Sequence, residues 1–220
     1  MSFVLLIDTS AFPSSVGLAR DGYLLAFIQQ HQEKFTLQPA LQDLLHEYKL
    51  EWKDIAAIAV TEGPGSYTGL RVGMAAAKGL CYPFKLPLIT IGTLHAMAQW
   101  GIDNYQEAAL ICPMIDARRQ EVFTAIFDRQ LNEIMSPQPM VLKADSFAEF
   151  LHSEHSMLFV GNGAEKWAKL SPGKLILNNK NLLILEAMAK IAHVKTENKD
   201  FADLFYATPA YLKDFYNPGC

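Results

Sequence analysis

The sequence predicts an α/β protein built as two lobes. Its 220 residues suit two compact halves at roughly 100–150 residues per domain. Half of the residues are hydrophobic and 19% are charged, enough apolar material for packed cores and unlike a disordered chain. Short β-branched apolar runs alternate with segments of helical period, the pattern of strands and helices packed in layers. After Gly101 the pattern restarts, so the expected domains are 1–100 and 101–220.

The elements follow in order. Residues 3–7 are an apolar run ending in Asp8-Thr9-Ser10, a buried strand running into a polar turn. Residues 15–18 and 24–28 flank Asp21-Gly22 and read as a hairpin. Over 35–48, Leu37, Leu41, Leu44, Leu45 and Tyr48 recur at spacings of three and four, one helical stripe. Residues 55–60 form another buried strand, and 61–66 a loop by composition. Residues 68–82, rich in alanine and glycine, read as a helix whose end is bracketed by Pro83 and Pro87. A short strand at 88–91 and a helix at 93–100 complete the first half. Beyond it come strands at 108–115, 121–127 and 158–160, helices at 146–152 and 182–194, and an irregular tail.

Charge and cysteine usage exclude several classes. The net charge is −4, and neither half is basic: 7 basic and 8 acidic residues precede position 101, 12 and 15 follow. A strong autonomous nucleic-acid binder needs a lysine- and arginine-rich face and is not expected. Cys81, Cys112 and Cys220 are odd in number and unclustered, so no disulfide framework or CxxC site is expected. The first ten residues lack a basic n-region, and no apolar run approaches the ~20 residues of a membrane span. A soluble cytoplasmic protein with no membrane partner is the expectation.

The stretch Gly63-Pro64-Gly65-Ser66-Tyr67-Thr68-Gly69-Leu70-Arg71 lies between a strand and a helix. Its glycines permit close backbone approach, Ser66 or Thr68 can cap the helix, and a helix start attracts anions. The same residues also fit a plain strand-to-helix connection. It is neither a phosphate-binding Gly-Lys-Ser/Thr loop nor a Gly-x-Ser-x-Gly elbow. Asp8, Thr9 and Ser10 could hold a metal–nucleotide, or simply close a strand-end turn. In Asp116-Ala117-Arg118-Arg119, the arginines could grip a phosphate or carboxylate, or Asp116 and Arg118 could pair locally. His152 and His155 are the only histidines close in sequence, in a polar patch that reads as a solvated turn. No HExxH or HxxxH occurs, and no metal site is expected.

In this order the segments resemble the TsaB (YeaZ) family. The matching residues are Ile7-Asp8-Thr9-Ser10, Ser15-Val16-Gly17-Leu18, the block 63–73, Ala77-Lys78-Gly79-Leu80, Pro87-Leu88 and Gly92-Thr93-Leu94. Further on come Asp116-Ala117-Arg118-Arg119-x-Glu121-Val122, Gly161-Asn162-Gly163 and Pro209-x-Tyr211-Leu212. The match is dense over roughly the first 125 residues and sparse afterward. The resemblance implies a two-lobed actin/Hsp70-like (ASKHA, ribonuclease H-like) fold. It also implies a non-catalytic partner subunit in making threonylcarbamoyl adenosine at position 37 of ANN-decoding tRNAs.

In that family TsaD performs the transfer, TsaB pairs with TsaD or with a second copy of itself, and the ATPase TsaE joins them. tRNA is met only through the complex. No intrinsic cofactor is implied; ATP or ADP would sit at the complex interface. ATP-binding members of the fold carry a glycine in the first turn, which Asp8-Thr9-Ser10 lacks, and the catalytic homologue's HxxxH is absent. The family's His-Ser-Glu appears here as His31-Gln32-Glu33. The alternative class is an autonomous enzyme, metallopeptidase-like or an ATPase of this fold; neither finds its site residues here. The partner face is expected on the two first-lobe helices, at Leu37, Leu41, Leu45, Gly73, Ala76, Ala77 and Leu80. Asp8, Thr9, Ser10, Gly63, Gly65, Ser66, Thr68, Gly69, Arg71 and Arg118 are expected to form a nucleotide-binding or structural loop.

Overall fold

The computed structural model describes residues 2–29, 36–151, 156–171, 176–177 and 183–213. His31-Gln32-Glu33, His152, His155 and Cys220 lie outside the described residues. The chain divides into two units, residues 1–96 with 183–209, and residues 97–182 with 210–220.

The first unit is a five-stranded sheet of order β3-β2-β1-β4-β5. It comprises β1 (Phe3–Asp8), β2 (Ser15–Arg20), β3 (Tyr23–Gln29), β4 (Ile55–Gly63) and β5 (Leu88–Gly92). β1 to β3 form an antiparallel meander, and β4 and β5 run parallel to β1. β1 is central and apolar from Phe3 to Ile7 because both its faces are covered. On one face lie α1 (Leu37–Glu47) and α2 (Tyr67–Phe84), whose inward side chains join Leu5, Ile7, Val16 and Leu18 in one core. Gly17 points the other way, since side chains alternate along a strand. A Cβ there would stand 3.3 Å from Leu185 Cδ1, so α6 (Leu185–Glu197) covers the opposite face.

α6 corrects the expected boundary. The chain does not stay in its second lobe after residue 101; Leu185, Ala187, Met188, Ala189 and Ala192 bury against the first sheet. The following stretch reaches β5, where the Ala202 amide donates to the Leu88 carbonyl at 2.8 Å. Gly101 is no linker either. It lies inside α3 (Thr93–Asn104), where a Cβ would stand 2.8 Å from Ile111 Cγ2. Its glycine is a packing requirement, and composition alone cannot tell that from a hinge.

The second unit repeats the topology. Its sheet of order β10-β9-β6-β7-β8 contains β6 (Leu110–Asp116), β7 (Glu121–Asp128), β8 (Glu133–Val141), β9 (Met157–Val160) and β10 (Ile176–Leu177). Again the first three strands form an antiparallel meander and the last two lie parallel to the first. α4 (Ala148–Leu151) and α5 (Ala164–Leu170) complete it. The rings of Phe147, Phe159 and Trp167 pack at 4.9–5.5 Å in its core.

Strand β8 was not foreseen, because Pro137 and Pro139 argue against a strand. It is the sheet edge, where proline is tolerated, and its register slips beside Pro137. α2 also runs beyond its expected end, through Pro83 to Phe84. The left-handed Lys85 (φ 53°) stops it, with the Leu86 amide bonded to the Cys81 carbonyl.

Candidate functional site

In the first unit, β1 ends at Asp8 and β4 ends at Gly63, side by side in the sheet. The Asp8 carboxylate is buried. Its Oδ1 accepts from the Ser10 amide at 3.0 Å, the Ser10 hydroxyl at 2.7 Å and the Thr61 hydroxyl at 3.1 Å. Burial pushes its pKa up, and the hydrogen bonds from Ser10 and Thr61 only partly oppose that. No cation pairs with it among the described residues.

The start of α2 presses on this turn. Gly63 adopts φ +121°, and the Gly63–Pro64 peptide is cis. The Ser66 amide donates to the Ser10 carbonyl at 2.6 Å, and the Ser66 hydroxyl caps the helix by accepting from the Gly69 amide at 3.2 Å. Added Cβ atoms on Gly65, Gly69 and Gly73 would overlap the Ser10 carbonyl, the Thr9 carbonyl and the Thr9 hydroxyl. Gly69 and Gly73, four residues apart, therefore form a groove on α2 that receives Thr9. A phosphate between turn and helix start would need free amides and space. Here the two backbones touch, and the Thr9, Ser10 and Ser66 amides are taken by Thr61, Asp8 and Ser10, so the closed turn does not fit one. Thr68 is exposed and outside this contact, and the Arg71 guanidinium lies 4.1 Å over the Tyr67 ring.

Arg118 belongs to the matching place in the second unit. There β6 ends at Asp116 beside the glycine turn after β9. The Asp116 amide donates to Asn162 Oδ1 at 2.8 Å, and Asp116 Oδ1 accepts from Lys166 Nζ at 2.7 Å and from the Arg118 amide at 2.6 Å. Burial pushes this carboxyl up, but the Lys166 hydrogen bond, the Arg118 amide and the Lys166 charge outweigh it, holding the pKa below the ordinary range. Asp116 thus holds the Arg118 amide, while the guanidinium stays outside that contact.

The expected partner face needs correction residue by residue. Leu37, Leu41, Leu45, Gly73, Ala77 and Leu80 are buried in the first unit's own interior, because they form the inward stripes of α1 and α2. Ala76 is half-buried. The outward stripe of α2 is Thr68, Val72, Ala75, Gly79 and Tyr82, all exposed, with open space around Gly79. These positions follow each other at spacings of four and three, but small residues on every side of α2 leave its outward direction unmarked in the sequence. The outward residues of α1 are the polar Gln38, Gln42, Asp43, His46 and Glu47, with Pro39 in its first turn.

Neither described cysteine is a ready nucleophile. Cys81 and Cys112 are buried, and burial pushes both thiols up to about 12. Among the described residues no three His, Cys, Asp or Glu side chains converge as a metal site, and no helix is long and apolar enough to cross a membrane.

Comparison with known proteins agrees with this architecture. Residues 27–216 match the family model described as TsaD, tRNA N6-adenosine threonylcarbamoyltransferase. The tRNA threonylcarbamoyladenosine biosynthesis protein TsaB of Escherichia coli is 33% identical over 96% of this chain and 94% of its own length. The Bacillus subtilis protein of the same name is 28% identical over 96% and 93%. The solved structure of YeaZ from Pseudomonas aeruginosa superposes with a TM-score of 0.82 at 23% identity, covering 96% of this chain and all of that one. With its doubled five-stranded topology of the actin/Hsp70-like type, the chain belongs to the TsaB (YeaZ) family of tRNA threonylcarbamoyladenosine biosynthesis proteins.

Proposed function

We propose that this chain is a non-catalytic subunit that pairs with TsaD and activates it for threonylcarbamoyl transfer to adenosine 37 of tRNA. The observation that carries the reading is the end-to-end similarity to TsaB proteins, over 96% of the chain. The chemistry of the described residues supports it. Asp8 is held by its own neighbours, and both described thiols are kept protonated. In this reading TsaE joins the pair, tRNA is met in the assembly, and ATP or ADP sits at the interface with the partners. The β1–β2 turn holds no nucleotide. Without TsaD the same face joins two copies of the chain.

The outward stripe of α2 is the face assigned to TsaD. Small residues at Ala75 and Gly79 let a partner helix approach closely, and Val72 and Tyr82 add apolar area on either side. Burial of such area contributes about 25 cal/mol per Å², offset by the cost of association. Ala75→Glu tests the face. Ala75 is exposed, so circular dichroism should show an intact fold. A charge trapped unpaired in the interface should cost about 3 kcal/mol of binding, roughly a hundredfold in Kd. A folded Ala75→Glu protein that binds TsaD and self-associates like wild type places the interface elsewhere.

A further inference from the structure

The tip of the β6–β7 hairpin carries Arg118 and Arg119, side by side and exposed. Neither guanidinium has a partner among the described residues. The charges beneath them are settled. Lys166 pairs with Asp116, and Lys213 pairs with Glu121, so each acid at the hairpin base has its own lysine. The tip therefore keeps two uncompensated positive charges on a chain whose net charge is −4.

The tip is also held in shape. The Ala117 amide donates to the Glu121 carbonyl at 3.1 Å and the Glu121 amide to the Arg118 carbonyl at 3.1 Å. Lys166 Nζ bonds the Glu121 carbonyl at 2.8 Å as well as Asp116, and the Leu142 amide bonds the Gln120 carbonyl at 3.0 Å. Within this frame Arg118 (φ 69°) and Arg119 (φ 48°) are both left-handed. Asn and Gly adopt that conformation far more readily and are the usual occupants of such a turn. The chain accepts the strain of two arginines there, and strain of this kind concentrates at functional sites.

We propose that Arg118 and Arg119 form a docking tip for the phosphate backbone of RNA. Guanidinium is the side chain suited to bidentate phosphate contact. Two such contacts position an RNA without reading its sequence. The tip supplies one local anchor, which fits a chain of net charge −4 that holds RNA by itself only weakly and at low salt. This deepens the proposed role in tRNA modification and rests on it for the identity of the RNA.

The test measures binding of a fluorescent tRNA transcript to the reconstituted assembly with TsaD at several salt concentrations. In R118A/R119A the affinity should fall about tenfold, and the log–log salt slope should shrink by about 1 to 2, the share of two phosphate contacts. R118K/R119K should keep most of the slope, because it keeps the charge. Equal affinity and slope in wild type and R118A/R119A overturn the proposal. So does a folded R118A/R119A that binds RNA normally but no longer assembles with TsaD, since the tip would then meet an acidic protein face. If wild type itself does not assemble with TsaD, the proposed function fails separately. The full chain alone at low salt then decides the tip: tRNA binding lost in R118A/R119A supports it, and no binding by wild type overturns it.

Discussion

The two units build the same corner twice and finish it differently. In each, the central strand ends in an aspartate beside a glycine-rich turn that leads into a helix. In the first unit that aspartate, Asp8, is buried and satisfied by Ser10 and Thr61, and α2 closes directly over it. In the second, Asp116 is exposed, clamped by Lys166 and Asn162, and the hairpin beyond it stands open with two arginines at its tip. One topology thus yields a closed structural joint and an open charged one. The difference lies in which residues meet the carboxylate: the hydroxyls of Ser10 and Thr61 in one place, a lysine in the other.

The largest expected effect is at the closed joint. Gly65→Val would drive a side chain into the Ser10 carbonyl, and backbone cannot step aside as a flexible side chain would. It should cost ~3 kcal/mol or more, read as a fall in the midpoint of thermal unfolding by circular dichroism. A variant that keeps its melting temperature but loses activity would show that the loop meets a ligand or partner directly. At the open corner, Lys166→Met should cost less, about 1–2 kcal/mol for a charge-assisted hydrogen bond at a partly exposed site. A cost equal to that of Gly65→Val would erase the distinction between the two corners.

Acidity separates the corners by sign. The folded-state pKa of Asp8 is raised above its unfolded value near 3.8. Its bound proton therefore adds stability below pH 3.8, and this is lost as the pH rises through the folded value. The Asp116 pKa is lowered, so its contribution is present above pH 3.8 and is lost as the pH falls through the folded value. Asp8→Asn should accordingly compare better with wild type at pH 7 than at pH 4. Lys166→Met should compare worse at pH 7 than well below pH 4. Denaturant titrations across that range check both, and parallel curves for the two variants would contradict the assignment.

Much of the first unit was legible in the sequence because its strands and helices carry clean periods. The leucines of α1 mark a helical stripe but not that it faces the first unit's own interior rather than a partner, and the glycines of 63–73 mark a tight strand-to-helix passage. Sequence could not say which side of α2 faces out, because small residues surround it: Gly73 is needed by Thr9, whereas Gly79 meets nothing. The return of α6 to the first sheet was hidden because an amphipathic helix does not name the sheet it covers. β8 was hidden by prolines that only an edge position excuses. At the second corner the motif Asp116-Ala117-Arg118-Arg119 was visible, but not that Lys166, far along the chain, would take Asp116 and leave the arginines free.

The proposed role has this chain serve tRNA threonylcarbamoylation without performing it. The most direct measurement is threonylcarbamoylation of tRNA in vitro with TsaD, TsaE and the enzyme that makes threonylcarbamoyl-adenylate, with this chain added or omitted. Modified tRNA is expected only when the chain is added, with no modification or ATP hydrolysis above background by the chain alone. Equal modification without it, or turnover by the isolated chain, would contradict the proposed role.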